Sequence, residues 1–264
     1  MERKINLLSI SYLAFLFLIC LSGMLRGIPS VLVYILSFVV PFFVCAAYLR
    51  KNGERILGHF TLGKAAILNT LTLAPITVGL IALISALTSM LIYAVSGQTN
   101  DVNVGSSLLV ALLLHAIVPT VVEEILFRYL PMRLLSRHSK RLTVLLSSFF
   151  FALIHHNLFS IPYAFVAGIV FMSLDLAFDS IWPSIIIHFM NNAVSVLVLF
   201  GLGYIAYPAL ALLSVVSLVI IIAKRADYKK LFAKALKKGE KFKITIELVI
   251  FTASTLFIAV MSLF

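Results

Sequence analysis

Apolar runs of about 18 residues or more recur from one end of this chain to the other, each long enough to cross a hydrocarbon core about 30 Å thick. Backbone polar groups in lipid must be satisfied inside the segment, so such runs fold as helices. Of the 264 residues, 62% are hydrophobic and 12% charged, with a mean hydropathy of +1.13. Ordinary soluble domains are about 45–50% apolar and about 25% charged. The fold class is therefore all-α, a polytopic transmembrane helix bundle. Candidate spans fall at 6–25, 29–49, 65–95, 106–130, 143–160, 162–180, 183–203, 204–223 and 246–263. The count is eight or nine, because the third run, broken by Pro75, and the interfacial ILGHFTLGK before it divide in more than one way. Nothing is left over for a soluble domain, so 1–264 reads as a single integral membrane domain. The charged start leads into a long apolar run with no small-residue cleavage site before Arg26, which marks an uncleaved first span. Cys20 and Cys45 both fall within spans and lack the count and spacing of a disulfide framework or a thiolate metal site.

The net charge of +11 would suit nucleic acid, but its distribution excludes that partner. Lysine and arginine sit in loops: Arg3 and Lys4; Arg50, Lys51, Arg55 and Lys64; Arg133, Arg137, Lys140 and Arg141; and a block from Lys224 to Lys243. All land on one face, while SGQTNDVNVGSS on the other carries none. By the positive-inside rule the N-terminus is cytoplasmic, and nine spans would put the C-terminus outside. In KRADYKKLFAKALKKGEKFK, Leu231, Phe232 and Leu236 form one apolar helix stripe that could lie on an anionic inner leaflet; a solvated basic loop explains the block equally well. The compact single-domain form leads us to expect a bacterial plasma membrane.

Ionisable groups inside such spans are costly and mark functional sites. Three clusters stand out: Glu123, Glu124 and Arg128 in VVEEILFRYLP, His155 in FALIHH, and His188 with Asn192 in IIIHFMNNA. Glu124 and Arg128 are four apart, so they share a helix face and can pair, whereas Glu123 points about 100° away. A paired carboxylate is locked, and its neighbour stays available as a base. The bland alternative places all three at the cytoplasmic interface, with Arg128 snorkelling to water. His155 and its neighbour His156 lie on different faces, so one of them can meet a shared site. His188 and Asn192, again four apart, can aim two donors at one atom, an arrangement suited to a developing oxyanion; interhelical polar glue is the alternative for either alone. Asp175, Asp179 and His115 read as interfacial, although His115 could reach a cavity wall one turn before Pro119.

In their order, these motifs resemble those of the CAAX protease and bacteriocin-processing family of intramembrane proteases, also called the Abi family, which includes type II CAAX prenyl endopeptidases. The family's EExxxR is similar to Glu123, Glu124 and Arg128, its FxxxH to Phe151 through His155, and its HxxxN to His188 through Asn192. The resemblance covers Val110 to Val196, within a core at about 106–203. It implies that Glu123 and His155 position and activate a water, that His188 and Asn192 form an oxyanion hole, and that Glu124 and Arg128 support them. It implies no cofactor, and a substrate that is a hydrophobic or lipidated peptide or a membrane protein. A carboxylate shielded from bulk water is the better base, which suits a residue that takes a proton from water and hands it to a leaving amine. Zinc is a minor alternative, since His155, His188 and Glu123 would make a two-histidine, one-carboxylate site, although HExxH is absent. The competing classes are a non-catalytic membrane partner, such as a bacteriocin immunity factor or a regulator of a signalling protein, and a transporter using the same polar groups.

One expectation conflicts with the rest. On these spans Glu123 and His188 lie toward the basic side, from which substrate would enter, whereas His155 comes about 20 Å into its span at 1.5 Å per residue. A fifth helix starting before Leu142 would ease the conflict.

Overall fold

The computed structural model describes residues 1–22, 30–54, 58–97, 107–235 and 244–261, and among these there is no strand. The helices are α1 (Glu2–Ser22), α2 (Ser30–Lys51), α3 (Lys64–Ser96), α4 (Leu108–Leu135), α5 (Lys140–Leu153), α6 (Ile161–Phe178), α7 (Trp182–Leu197), α8 (Gly203–Ala223), α9 (Arg225–Ala235) and α10 (Ile246–Met261). Their ends follow local chemistry. Gly97, at φ 70°, closes α3 with its N–H on the Tyr93 carbonyl. Ser139 caps α5 by accepting from the Leu142 N–H.

Five segments among the described residues are long and apolar enough to cross a membrane by themselves: Glu2–Cys20, Lys64–Ser96, Leu108–Leu135, Ile161–Phe178 and Trp182–Ala223. Eight or nine spans is thus the reading of the sequence alone. Two expected spans, at 183–203 and 204–223, form one run of 42 residues broken at Gly201, where φ is 77°. Helices α5 and α10, at 14 and 16 residues, are shorter than a typical span.

Side-chain contacts bring the basic segments to one end of the bundle. Lys4 pairs with Glu54 at 3.3 Å, Asn6 Nδ2 donates to Glu247 at 3.1 Å, and Lys140 Nζ donates to the Leu176 carbonyl at 3.5 Å. Arg133 Nη1 lies 3.2 Å from His59 Nε2, whose ring Nδ1 is 2.8 Å from Asp179. The starts of α1, α5 and α10 and the ends of α2, α4 and α6 are therefore held together, and His59 brings in the segment leading to α3. Arg55, Leu236 to Lys243 and most of SGQTNDVNVGSS lie outside the described residues. The stripe expected on a lipid leaflet is otherwise engaged: Leu231 and Phe232 of α9, with buried Tyr228, pack against the interior cluster that contains Phe171 and Leu174 of α6.

Helix α4 does not stop near residue 130 as expected but runs to Leu135. Glu123 therefore lies about 18 Å from the basic end of its helix, and His155, just beyond α5, about 22 Å from Lys140. The depth conflict disappears because the helix carrying the glutamates is longer than its apolar pattern implied. The early start of the fifth helix, at Lys140, is as required.

Two turns of α4, Leu112–Ile117 and Ile125–Tyr129, are π-helical, and each ends two residues before a proline, Pro119 and Pro131. A proline inside a helix lacks its N–H and crowds the carbonyl four residues earlier; a wider turn relieves both. The short α-helical stretch between them, Val118–Glu124, carries the two glutamates.

Candidate functional site

The site is assembled from α4, the end of α5 and α7. Glu124 and Arg128 are fully buried, with Arg128 Nε 3.2 Å from Glu124 Oε2, the pair expected from their spacing. The other carboxylate oxygen, Oε1, lies 2.6 Å from His188 Nδ1, a contact between residues 64 apart in sequence. One carboxylate thus holds both the arginine on its own helix and the imidazole of α7. The second ring nitrogen of His188, Nε2, is 3.8 Å from Glu123 Oε2, so the imidazole is set between the two glutamates.

Among the described residues the Arg128 guanidinium pairs with Glu124 and its nitrogens make no hydrogen bond; two aromatic rings lie against it. Its guanidinium carbon sits 4.1 Å from the Phe151 ring centroid and 5.3 Å from that of Phe171, in cation–π range. Phe151 also meets His155 and His188 edge-on, at 4.9 and 5.6 Å between centroids. The phenylalanine of FxxxH therefore sorts three polar groups: it covers the arginine and separates the two imidazoles.

His155 Nδ1 lies 2.8 Å from the Phe151 carbonyl. A ring N–H donated to a carbonyl leaves Nε2 with a lone pair for a water. The Glu123 carboxylate acts electrostatically on both His155 and Tyr163. Asn192 reaches Thr120 Oγ1 at 3.5 Å and accepts from Asn191 Nδ2 at 3.2 Å. His156, at φ 49°, does not line the same cavity as His155.

Two cavities meet at His155. The larger, about 730 Å³, is lined by Phe151, His155, Tyr163, His188, Asn191 and Asn192, with one face of α3 along its side. The smaller, about 210 Å³, is walled by Phe15, Ile19, Phe38, Phe127 and Ile154, and here Glu123 joins His155. Glu123 is thus presented to a pocket that α1 and α2 close, and His188 and Asn192 to the cavity along α3.

The structure brings together all six residues singled out from the sequence and corrects the reading of Asp175. That residue is fully buried, accepts the Ser184 N–H at 3.0 Å, interacts electrostatically with Glu124 and Arg128, and leaves Oδ2 without a hydrogen-bond partner among the described residues. Asp179 is exposed at the basic end, as expected, and His115 is exposed away from both cavities. Thr120, Phe151 as a packing element and Asp175 were not assigned from the sequence. Thr120 had a readable signal, since it shares the Glu124 face one turn earlier.

Residues 105–194 match the family model described as Rce1-like: Type II CAAX prenyl endopeptidase Rce1-like. All three motifs lie inside that segment, and the match supports the CAAX protease resemblance drawn from them. No curated protein matches the chain, and no solved structure does.

Proposed function

We propose that this chain is an intramembrane endopeptidase that hydrolyses a peptide bond in a hydrophobic or lipidated peptide or a membrane protein, using water activated by a glutamate. The observation that carries the reading is the placing of His155 on the wall between two cavities, one holding Glu123 and the other holding His188 and Asn192. A water on the Glu123 side then meets a carbonyl presented on the other. Glu123 accepts a proton from that water while His155 Nε2 orients it, and the oxygen attacks the carbonyl carbon. The carbonyl π electrons move onto oxygen, and that oxyanion lies before His188 and Asn192. An ionised Glu124 accepts the Nδ1–H of His188, so Nε2 donates to the oxyanion when the ring carries both protons. Collapse of the intermediate breaks the C–N bond, and Glu123 passes its proton to the departing amine.

The experiment is cleavage of a quenched-fluorescent peptide library in detergent by the wild-type protein, by Glu123→Ala and by wild type with a zinc chelator. Loss in the variant and indifference to the chelator is the expected result. Loss on chelation would overturn the metal-free reading, and library peptides cut equally by wild type and variant would remove Glu123 from the mechanism.

A further inference from the structure

We propose that the scissile segment of the substrate enters from the end of the bundle opposite the basic loops and lies extended along α3 between Val78 and Tyr93. This rests on the hydrolytic reading and adds the route and form of the substrate. The cavity lining on α3 includes Val78, Ala82, Ser85, Ser89 and Tyr93, spaced three or four apart, with Ile81, Ala86 and Met90 beside them, which is one continuous helix face. Val78 is 1% exposed and Tyr93 60%. The same gradient runs along the facing wall, from His188 on α7 at 5% to Leu199, just past the end of α7, at 47%. Both walls therefore open in the same direction, away from Lys64 at the start of α3 and from Trp182 at the start of α7.

The other end is closed. Beneath His188 lie the fully buried Glu124, Arg128 and Asp175. Below them the segment before α3 is tied across the turn between α6 and α7: the Ile181 N–H donates to the His59 carbonyl at 2.9 Å, and Trp182 Nε1 donates to the Phe60 carbonyl at 3.0 Å. Phe60 also packs against Tyr129 of α4, with ring centroids 5.2 Å apart and the rings tilted by 34°. The entry expected from the basic side is thus replaced by one from the far side, which the positive-inside rule makes extracytoplasmic. Tyr93, Tyr204 and Tyr207, all exposed, gather near the open end as tyrosines do at a membrane–water interface.

The occupant follows from length and chemistry. Val78 to Tyr93 spans about 22 Å of helix, which accommodates about six or seven residues of extended chain at about 3.3 Å each. Ala82, Ser85, Ala86 and Ser89 leave room for a backbone to approach. Hydroxyl and amide groups of Ser85, Ser89, Asn191 and Ser195 supply partners for main-chain groups that would be costly to leave unpaired out of water. A bare hydrocarbon chain would use none of these.

The test is cysteine accessibility in a Cys20→Ser background, with buried Cys45 retained. Ser89→Cys, Ser195→Cys and a reference Arg137→Cys in the turn between α4 and α5 are treated with a membrane-impermeant maleimide in right-side-out and in inside-out vesicles. The expected outcome is labelling of Ser89→Cys and Ser195→Cys from the side opposite to Arg137→Cys. Labelling from the same side as Arg137→Cys, or no labelling of either while Arg137→Cys reacts, overturns the route. This readout needs no turnover, so it stands apart from whether the chain is a protease. For the occupant, a bulky maleimide adduct at Ser89→Cys should lower cleavage of a library peptide by tenfold or more and one at Arg137→Cys should leave it unchanged; equal activity of the two adducts overturns the placement along α3.

Discussion

Glu123 and Glu124 are neighbours in sequence with opposite circumstances. Glu124 is enclosed between the Arg128 guanidinium and the His188 ring, while the Glu123 side chain retains 15% exposure and faces the smaller cavity. Removing one charge of a buried pair leaves the other without compensation, which costs about 3–5 kcal/mol. Glu124→Gln should therefore lower both activity and the midpoint of thermal unfolding in detergent. Glu123→Gln, one residue away, should abolish cleavage and lower the midpoint by less than Glu124→Gln does, because its carboxylate keeps 15% exposure and stands 3.8 Å from His188 rather than inside the fully buried pair. Equal loss of stability in the two variants would refute this division of labour. The four-residue spacing of Glu124 and Arg128 was enough to make their pairing legible. The bond from Glu124 to His188 was not legible, because it depends on how α7 is rotated against α4. Asp175 was misread for a similar reason: near the end of its apolar run it looked interfacial, and only the packing of α7 against α6 buries it.

At the scale of the element, α4 owes its form to Pro119 and Pro131. In the second π turn the Leu130 N–H goes to the Ile125 carbonyl, which frees the Leu126 carbonyl, and Tyr12 Oη of α1 donates to it at 2.8 Å. The Phe127 carbonyl, whose usual partner would be the missing N–H of Pro131, accepts the hydroxyl of Ser147 from α5. The irregular turn is thus where neighbouring helices attach. Ser147→Ala should leave a buried carbonyl unpaired, at a cost of about 1–3 kcal/mol, seen as a lower unfolding midpoint; an unchanged midpoint would mean that the carbonyl finds another donor. The contact between α5 and α6 is as tight. A Cβ on Gly168 would come 2.7 Å from the Ser148 Cα, closer than real atoms approach. Gly168→Ala should force the two helices apart and, since His155 lies just beyond α5, reduce cleavage by tenfold or more in protein that still inserts. Prolines announced an irregularity in α4, but its type and the carbonyls it frees depend on partners far away in sequence.

At the scale of the molecule, the segment that matches the family, residues 105–194, does not enclose its own site. Phe15, Ile19 and Phe38 of α1 and α2 wall the pocket beside Glu123, and α3 supplies one side of the larger cavity. Tyr12 of α1 also joins an aromatic cluster with Phe127, Phe150 and Phe251, at 5.0, 4.6 and 6.2 Å, that ties α4, α5 and α10 together. Composition made the helical class plain, and the three motifs fall inside the segment that matches the family. The contribution of α1 to α3 was invisible because their residues there are ordinary apolar and small side chains, whose meaning is set by what they face. The dependence can be tested by division of the chain. A fragment of residues 105–194 alone should fail to cleave, since without α1 and α2 the Glu123 pocket opens to lipid and without α3 the larger cavity has one wall fewer. Residues 1–97 and 98–264 expressed together in one membrane should recover cleavage, because the cut falls between α3 and α4 and leaves each helix whole. Recovery that is lost when 1–97 carries Tyr12→Ala would trace it to the packing of α1 on α4. Activity in the 105–194 fragment alone would instead mean that the three motifs suffice and that the first three helices serve some other purpose.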